Sequence, residues 1–262
     1  MIVVCSGEGV SDLGACKNHA GFCQDDMYRL GPLTFVIDYI IEEVLQYSPL
    51  QTHLGTYRYY SEAYLTQRLA AKKSERRGFF LAGRKHGAET GLFYFNAWML
   101  GEISKELEAA EEDIAIAILF RDSDGTNSSP SDIWSQKKTS IKEGFKRAEF
   151  TRGVPMVPRP KSESWFICAA KENPYEHCAE LEELSGNDKS PNAAKKMLSA
   201  ILEGEATNER LLTWLEDNGI DCRKLAIEMP SFSKFYERLV NVLQDTLRKA
   251  PDRDTDTQQL ES

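Results

Sequence analysis

Two runs of consecutive apolar residues stand apart from the rest of the chain. Ile2-Val-Val-Cys5 and Ala115-Ile-Ala-Ile-Leu-Phe120 offer no polar position on either face. Such runs read as strands buried on both sides, as in a parallel sheet covered by helices. Elsewhere the apolar residues recur at helical spacing. Val36, Ile37, Ile40, Ile41, Val44 and Leu45 share one face, and Pro49 marks the end of that helix. Residues 62–73 read as helix, and 91–110 as the clearest long helix, with Leu92, Phe95, Met99, Ile103 and Leu107 spaced along it. Residues 133–150 form a basic amphipathic pattern.

The remaining segments carry weaker signals. Residues 10–31 read as a loop with glycines and cysteines, 55–60 are faintly strand-like, 78–83 are ambiguous, and 126–130 form a polar turn. Residues 154–158 read as a short extended segment whose prolines favour a sheet edge. Ser162 stands where a helix N-cap belongs, before an apolar first turn. Helices are expected over 193–202, 208–217 and 232–247, the last with Phe232, Phe235, Leu239, Val242 and Leu243 on one face. Strand–helix alternation in the first part of the chain predicts an α/β fold: a mostly parallel sheet flanked by helices. The expected division is a core over 1–170, a helical C-terminal region over 171–249 packed on that core, and a disordered polar tail over 250–262.

Both apolar runs stop at acids flanked by glycine: Gly7-Glu8-Gly9 and Asp122-Ser-Asp124-Gly125. Ligands of open α/β sheets bind at the carboxyl ends of strands. Carboxylates delivered there suggest one divalent-metal site assembled from distant segments. Each piece also has an ordinary reading. Asp-Ser-Asp-Gly makes turns, and Glu163 is a favourable acid in a first helical turn.

The 262 residues carry a net charge of −9, which argues against a protein that coats nucleic acid by bulk charge. The sign varies along the chain, however. Arg68, Lys72, Lys73, Arg76, Arg77, Arg84 and Lys85 fall in one stretch, and Lys137, Lys138, Lys142, Lys146, Arg147, Arg152, Arg159 and Lys161 in another. These runs are either solvated helix faces or a basic surface around an acidic metal site, suited to a phosphodiester. On the second reading Lys137, Lys138, Lys142, Arg84 and Lys85 are candidates for contact with nucleic acid.

No apolar run approaches the ~20 residues that cross a bilayer, and no secretory leader pattern is visible. The expectation is therefore a cytoplasmic protein without membrane contact, its six cysteines present as thiols. Cys16-X2-His19-X3-Cys23 has partial zinc spacing but no fourth ligand. Tyr57, Tyr59 and Tyr60 suit a core better than base stacking. There is no Gly-X4-Gly-Lys-Ser/Thr loop, complete dinucleotide fingerprint or nucleophile elbow.

Gly7-Glu-Gly-Val-Ser-Asp12 after one strand, followed by Asp122-Ser-Asp124 after a later one, resembles the Toprim catalytic fold of topoisomerases, primases and nucleases of the overcoming-lysogenization-defect type. Val157-Pro-Arg-Pro-Lys-Ser-Glu-Ser-Trp-Phe166 and Met229-Pro-Ser-Phe-Ser-Lys-Phe235 resemble motifs of small bacterial Toprim-like proteins. The resemblance runs through most of the chain on sparse motifs. It implies an endonuclease of DNA or RNA that uses Mg²⁺ or Mn²⁺. Asp122, Asp124 and Glu163 would be metal ligands and Asp12 a supporting ligand; Glu8 would bind metal or transfer a proton. Lys161 would face the charge building on phosphate, with Lys137, Lys138 and Arg121 competing for that role. The resemblance further implies a separate ATPase partner and a place in antiviral defence; a homo-oligomer also fits. Two alternatives stay open. One is a non-catalytic Toprim-shaped subunit that docks to an ATPase through the acidic C-terminal third and helix 232–247. The other is a phosphohydrolase of small nucleotides.

Overall fold

The two apolar runs become adjacent strands at the centre of a sheet. The computed structural model describes residues 1–8, 11–53, 55–75, 90–124 and 132–249. In it, β1 (Ile2–Gly7) pairs in parallel with β5 (Tyr57–Tyr60) on one side and β6 (Ala115–Phe120) on the other. β7 (Gly153–Met156) continues the parallel sheet beyond β6 and forms one edge. β3 (Phe22–Gln24) pairs antiparallel with β5 and forms the other edge. β2 (Gly14–Cys16) and β4 (Tyr28–Leu30) make a separate two-stranded ladder.

Every residue of β1 and β6 is buried, and successive side chains enter opposite cores. Val3, Cys5, Ile116 and Ile118 face one core; Ile2, Val4, Ala117 and Leu119 face the other. The first core is closed by α1 (Pro32–Leu45), α6 (Glu163–Ala170), α7 (Ala194–Ile201), α8 (Asn208–Asn218), α9 (Cys222–Glu228) and α10 (Pro230–Lys249). The second is closed by α3 (Glu62–Glu75), α4 (Gly91–Glu111) and α5 (Ile133–Arg147). The short α2 (Pro49–Thr52) follows α1. The C-terminal helices thus share a core with the sheet. Trp165 of α6 stacks on Phe235 and meets Phe232 edge-on, and its indole N–H donates to the Ser231 hydroxyl at 2.9 Å.

Several expectations are corrected. The predicted loop over 10–31 holds three short strands. Helix α1 starts at Pro32, four residues before its apolar stripe, because proline suits a first helical position whose N–H has no partner. Pro49 opens α2 for the same reason. Helix α9 was not anticipated. The apolar face of α10 is filled from within: Phe232, Phe235, Leu239, Val242 and Leu243 are all at most 2% exposed, so that stripe offers no docking face. Four of the six cysteines are joined, Cys16 to Cys23 and Cys168 to Cys178, leaving Cys5 and Cys222 as buried thiols. The first pairing also removes both sulfurs of the partial zinc pattern. Tyr57, Tyr59 and Tyr60 lie in the core. Residues 78–83, Arg84, Lys85, the turn at 126–130 and the tail at 250–262 lie outside the described residues. Among the described residues, no helix is long and apolar enough to cross a membrane.

Candidate functional site

Parallel strands all end on one side of a sheet, and their register decides which residues emerge together. Gly7 pairs with Phe120, and Phe120 with Met156. Glu8, the segment from Arg121 to Asp124, and the segment leading to Glu163 therefore leave the sheet side by side. The last two stay zipped: backbone N–H groups of Arg121, Ser123 and Asp124 donate to the carbonyls of Met156, Pro158 and Pro160 at 3.0, 3.2 and 3.0 Å.

Hydrogen bonds then link the carboxylates. Glu8 Oε1 accepts from the Asp122 backbone N–H at 2.6 Å. Asp122 Oδ1 accepts from the Ser162 N–H at 3.0 Å, and the Ser162 hydroxyl donates to Asp12 Oδ1 at 2.6 Å. Ser162 occupies the N-cap position as expected, but its side chain does not cap α6. Glu163 follows directly, and its Oε2 is buried with no hydrogen-bond partner. Asp124 is exposed, with a left-handed φ of 47° that aspartate tolerates better than most residues.

The electrostatics bind these groups into one system. Burial pushes the Asp122 carboxyl well above its ordinary value, and Asp12, Glu163, Glu8 and Asp124 push it further. Burial also raises Glu8, outweighing the Asp122 N–H and the Arg121 guanidinium that favour its charged form. Glu163 is raised by burial, then by Asp12 and Asp188, against its own backbone N–H and Lys161.

Three cations flank the carboxylates. Arg121 is 3% exposed; it donates to Glu8 Oε2 at 3.4 Å and sits 2.9 Å from Glu62 Oε1. Lys137 Nζ donates to the Ser123 carbonyl at 2.7 Å; burial lowers its pKa while Asp124, Glu8 and Asp122 oppose that shift. The Phe93 ring serves both, with Arg121 Cζ at 5.6 Å and Lys137 Nζ at 4.9 Å from its centre. Lys161 pairs with Asp188 at 2.9 Å and Asp124 at 3.7 Å. Burial depresses Lys161, but Asp188, Asp124 and Asp122 raise it above its ordinary value.

Of the residues singled out from sequence, Glu8, Asp12, Asp122, Asp124, Glu163, Lys161 and Lys137 come together here. Lys138 and Lys142 do not; they turn toward α10. The described part of the first basic run is consumed by helix pairing: Arg68 and Lys72 bind Glu106 and Glu102 of α4, and Lys73 lies over the Phe95 ring. The hydroxyl of Ser162, Phe93 and Glu62 were not anticipated in the site. Glu62 was accessible to the same logic, since it follows β5 as Glu8 follows β1.

A cleft of about 270 Å³ opens beside Asp12, Ser162 and Glu163, with Lys195, Thr207 and Asn208 on its far side. Hard oxygen donors in this number suit Mg²⁺ or Mn²⁺. The unpartnered Glu163 oxygen and the mutual repulsion centred on Asp122 fit the binding of a cation. Among the described residues, no three such side chains already converge as a ready-made cage. The fit is therefore one of donor chemistry and charge. No protein-family model, curated protein or solved structure matches the chain.

Proposed function

We propose that the chain is a divalent-metal-dependent phosphodiesterase acting on DNA or RNA, with Glu8, Asp12, Asp122, Asp124 and Glu163 as oxygen donors. One observation carries this reading: the Asp122 N–H and Ser162 tie the Glu8, Asp122 and Asp12 carboxylates together beside Glu163, whose Oε2 is buried with no partner. Gathered like charge calls for an ion or for protons to offset it. Bound there, Mg²⁺ or Mn²⁺ would polarise a phosphoryl oxygen and acidify a water.

The chain's own groups supply the rest. The Asp122 N–H and Arg121 orient the Glu8 carboxylate. Burial raises its proton affinity above that of an ordinary glutamate, in the direction a group that accepts a proton needs. Ser162 holds Asp122 and Asp12 in fixed relation. Lys137 places positive charge beside the carboxylates, where charge on a phosphate would develop; Lys161, tethered by Asp188, is a second such cation.

One observation favours a second reading. The cleft beside Glu163, at about 270 Å³, lies near the lower end of small-ligand pockets and would suit a mononucleotide. The separate ATPase partner and the role in antiviral defence rest on the family resemblance alone. The test is incubation with plasmid, single-stranded RNA and nucleoside triphosphates, with and without Mn²⁺ or Mg²⁺, beside an Asp122→Ala/Asp124→Ala variant. Metal-dependent cleavage of a polymer by the native chain alone is expected. Cleavage that persists in the variant overturns the assignment, and turnover of triphosphates alone moves it to the second reading.

A further inference from the structure

We infer that the free edge of the sheet, where α5 and α10 meet around β7, is a second site that binds a backbone phosphate of the nucleic acid. The identity of this polyanion rests on the phosphodiester reading; the site itself rests on separate residues. Helices α5 and α10 pack on opposite faces of the sheet. Ile141 and Phe145 enter one core, Phe235 and Leu239 the other. Because β7 is the last strand, the flanks of both helices reach past it and face each other across Pro155.

Each helix brings cations one turn apart. Lys138 and Lys142 stand at i and i+4 on α5, Lys234 and Arg238 at i and i+4 on α10, so each pair shares a face. All four line one cavity of about 160 Å³. Glu237 is the sole carboxylate in that lining, and it pairs with Lys234 at 3.0 Å. Arg238 is braced, with Nε donating to the Gly153 carbonyl at 3.0 Å and a second nitrogen to Thr151. Lys138 lies 3.8 Å over the Trp134 ring, and neither it nor Lys142 has an ion-pair partner among the described residues. Burial lowers the proton affinity of Lys138, and Lys142 and Lys234 lower it further; Glu237 opposes them. Asp245, outside the cavity, acts on Arg238.

Four cations against one carboxylate, gathered from helices far apart in the chain, give this edge a local positive potential that favours an anion. The cavity is smaller than the ~300 Å³ of typical small-molecule sites, which suits a single phosphate group. Lysine and arginine are the residues that hold phosphate. Helix α5 serves both places: Lys137, one residue before Lys138, bonds to the Ser123 carbonyl beside the carboxylates. Pro155 on the edge strand, flanked by lysines of the two helices, also deters pairing with other sheets, a role that needs no phosphate.

Binding separates these roles. Fluorescein-labelled DNA, single-stranded and duplex, is titrated in EDTA across a salt series. The proteins are the native chain, Lys142→Ala/Lys234→Ala and Lys142→Arg/Lys234→Arg. Lys142 and Lys234 are exposed, and melting curves verify the fold. Removing both charges should lower the slope of log affinity against log salt by up to about 0.7 on single strands and about 0.9 on duplex, the value for one phosphate contact. The arginine variant should restore it. An unchanged slope in the alanine variant, or no binding by the native chain, overturns the inference and leaves edge protection. The metal-dependent assay is scored separately. Reduced slope without cleavage by the native chain keeps this site and removes the phosphodiester reading; cleavage with an unchanged slope does the reverse.

Discussion

Ser162 has one hydroxyl and two uses for it. As an N-cap it would satisfy a free N–H of α6; instead it donates to Asp12, while its backbone N–H goes to Asp122. A cap forgone is a cost of about 1 kcal/mol, set here against the positioning of two carboxylates. Asp122 shows the consequence of crowding them. Its folded proton affinity lies well above the ordinary value. The stability contributed by the protonated form is fully present below the unfolded pKa of ~3.9 and is lost as pH rises through the folded value. Asp122→Asn keeps the acceptor for Ser162 and removes the charge. In EDTA at pH 7.5 it should therefore raise the melting temperature by about 2–4 °C, the shift for ~1 kcal/mol in a chain of this size. The gain should shrink as pH falls toward 4. A lower melting temperature at pH 7.5 would mean that the charged form is the one the fold favours.

At the scale of elements, α5 matters most, because it serves both the carboxylate cluster and the lysine-lined edge. It is clamped to α4 by small residues. A Cβ on Gly144 would lie 2.2 Å from the Tyr94 carbonyl oxygen and 2.7 Å from Ala97 Cβ. Gly144→Ala should destabilise the chain by about 1–3 kcal/mol, read from denaturant midpoints. An unchanged midpoint would show that α5 is not held there. The same elements mark what was legible beforehand. β1 and β6 announced themselves because burial on both faces leaves no polar position. The strands β2, β3 and β4 have three residues each, too few to show a period, and two of them are joined by the Cys16–Cys23 bond. Asp12 and Glu163 were reached only through the family resemblance, whereas Glu8, Asp122 and Asp124 were legible as strand ends. The fate of the lysines was not, since a charge run does not reveal its partner: α4 supplies acids to Arg68 and Lys72, while α10 meets Lys138 and Lys142 with more positive charge. The stripe on α10 likewise signalled a buried face without saying that the molecule itself would cover it.

For the whole molecule, the net charge of −9 conceals a sharp local arrangement, with acids gathered at one end of the sheet and cations along its flank. Both disulfides lie close in sequence to that end: one closes the segment after Asp12, the other ties the last turns of α6, which begins at Glu163. Hydrogen bonds bring three separate segments, 8–12, 122–124 and 162–163, around one point, and the central claim is that this point takes a divalent cation. Mn²⁺ titration followed by electron paramagnetic resonance tests it most directly, because it needs neither substrate nor partner. The native chain should bind Mn²⁺, and Asp122→Asn/Asp124→Asn should weaken binding by at least ~10-fold, the lower end of losses seen when a metal's surroundings are altered. Equal binding by the two proteins, or none by the native chain, would contradict the account.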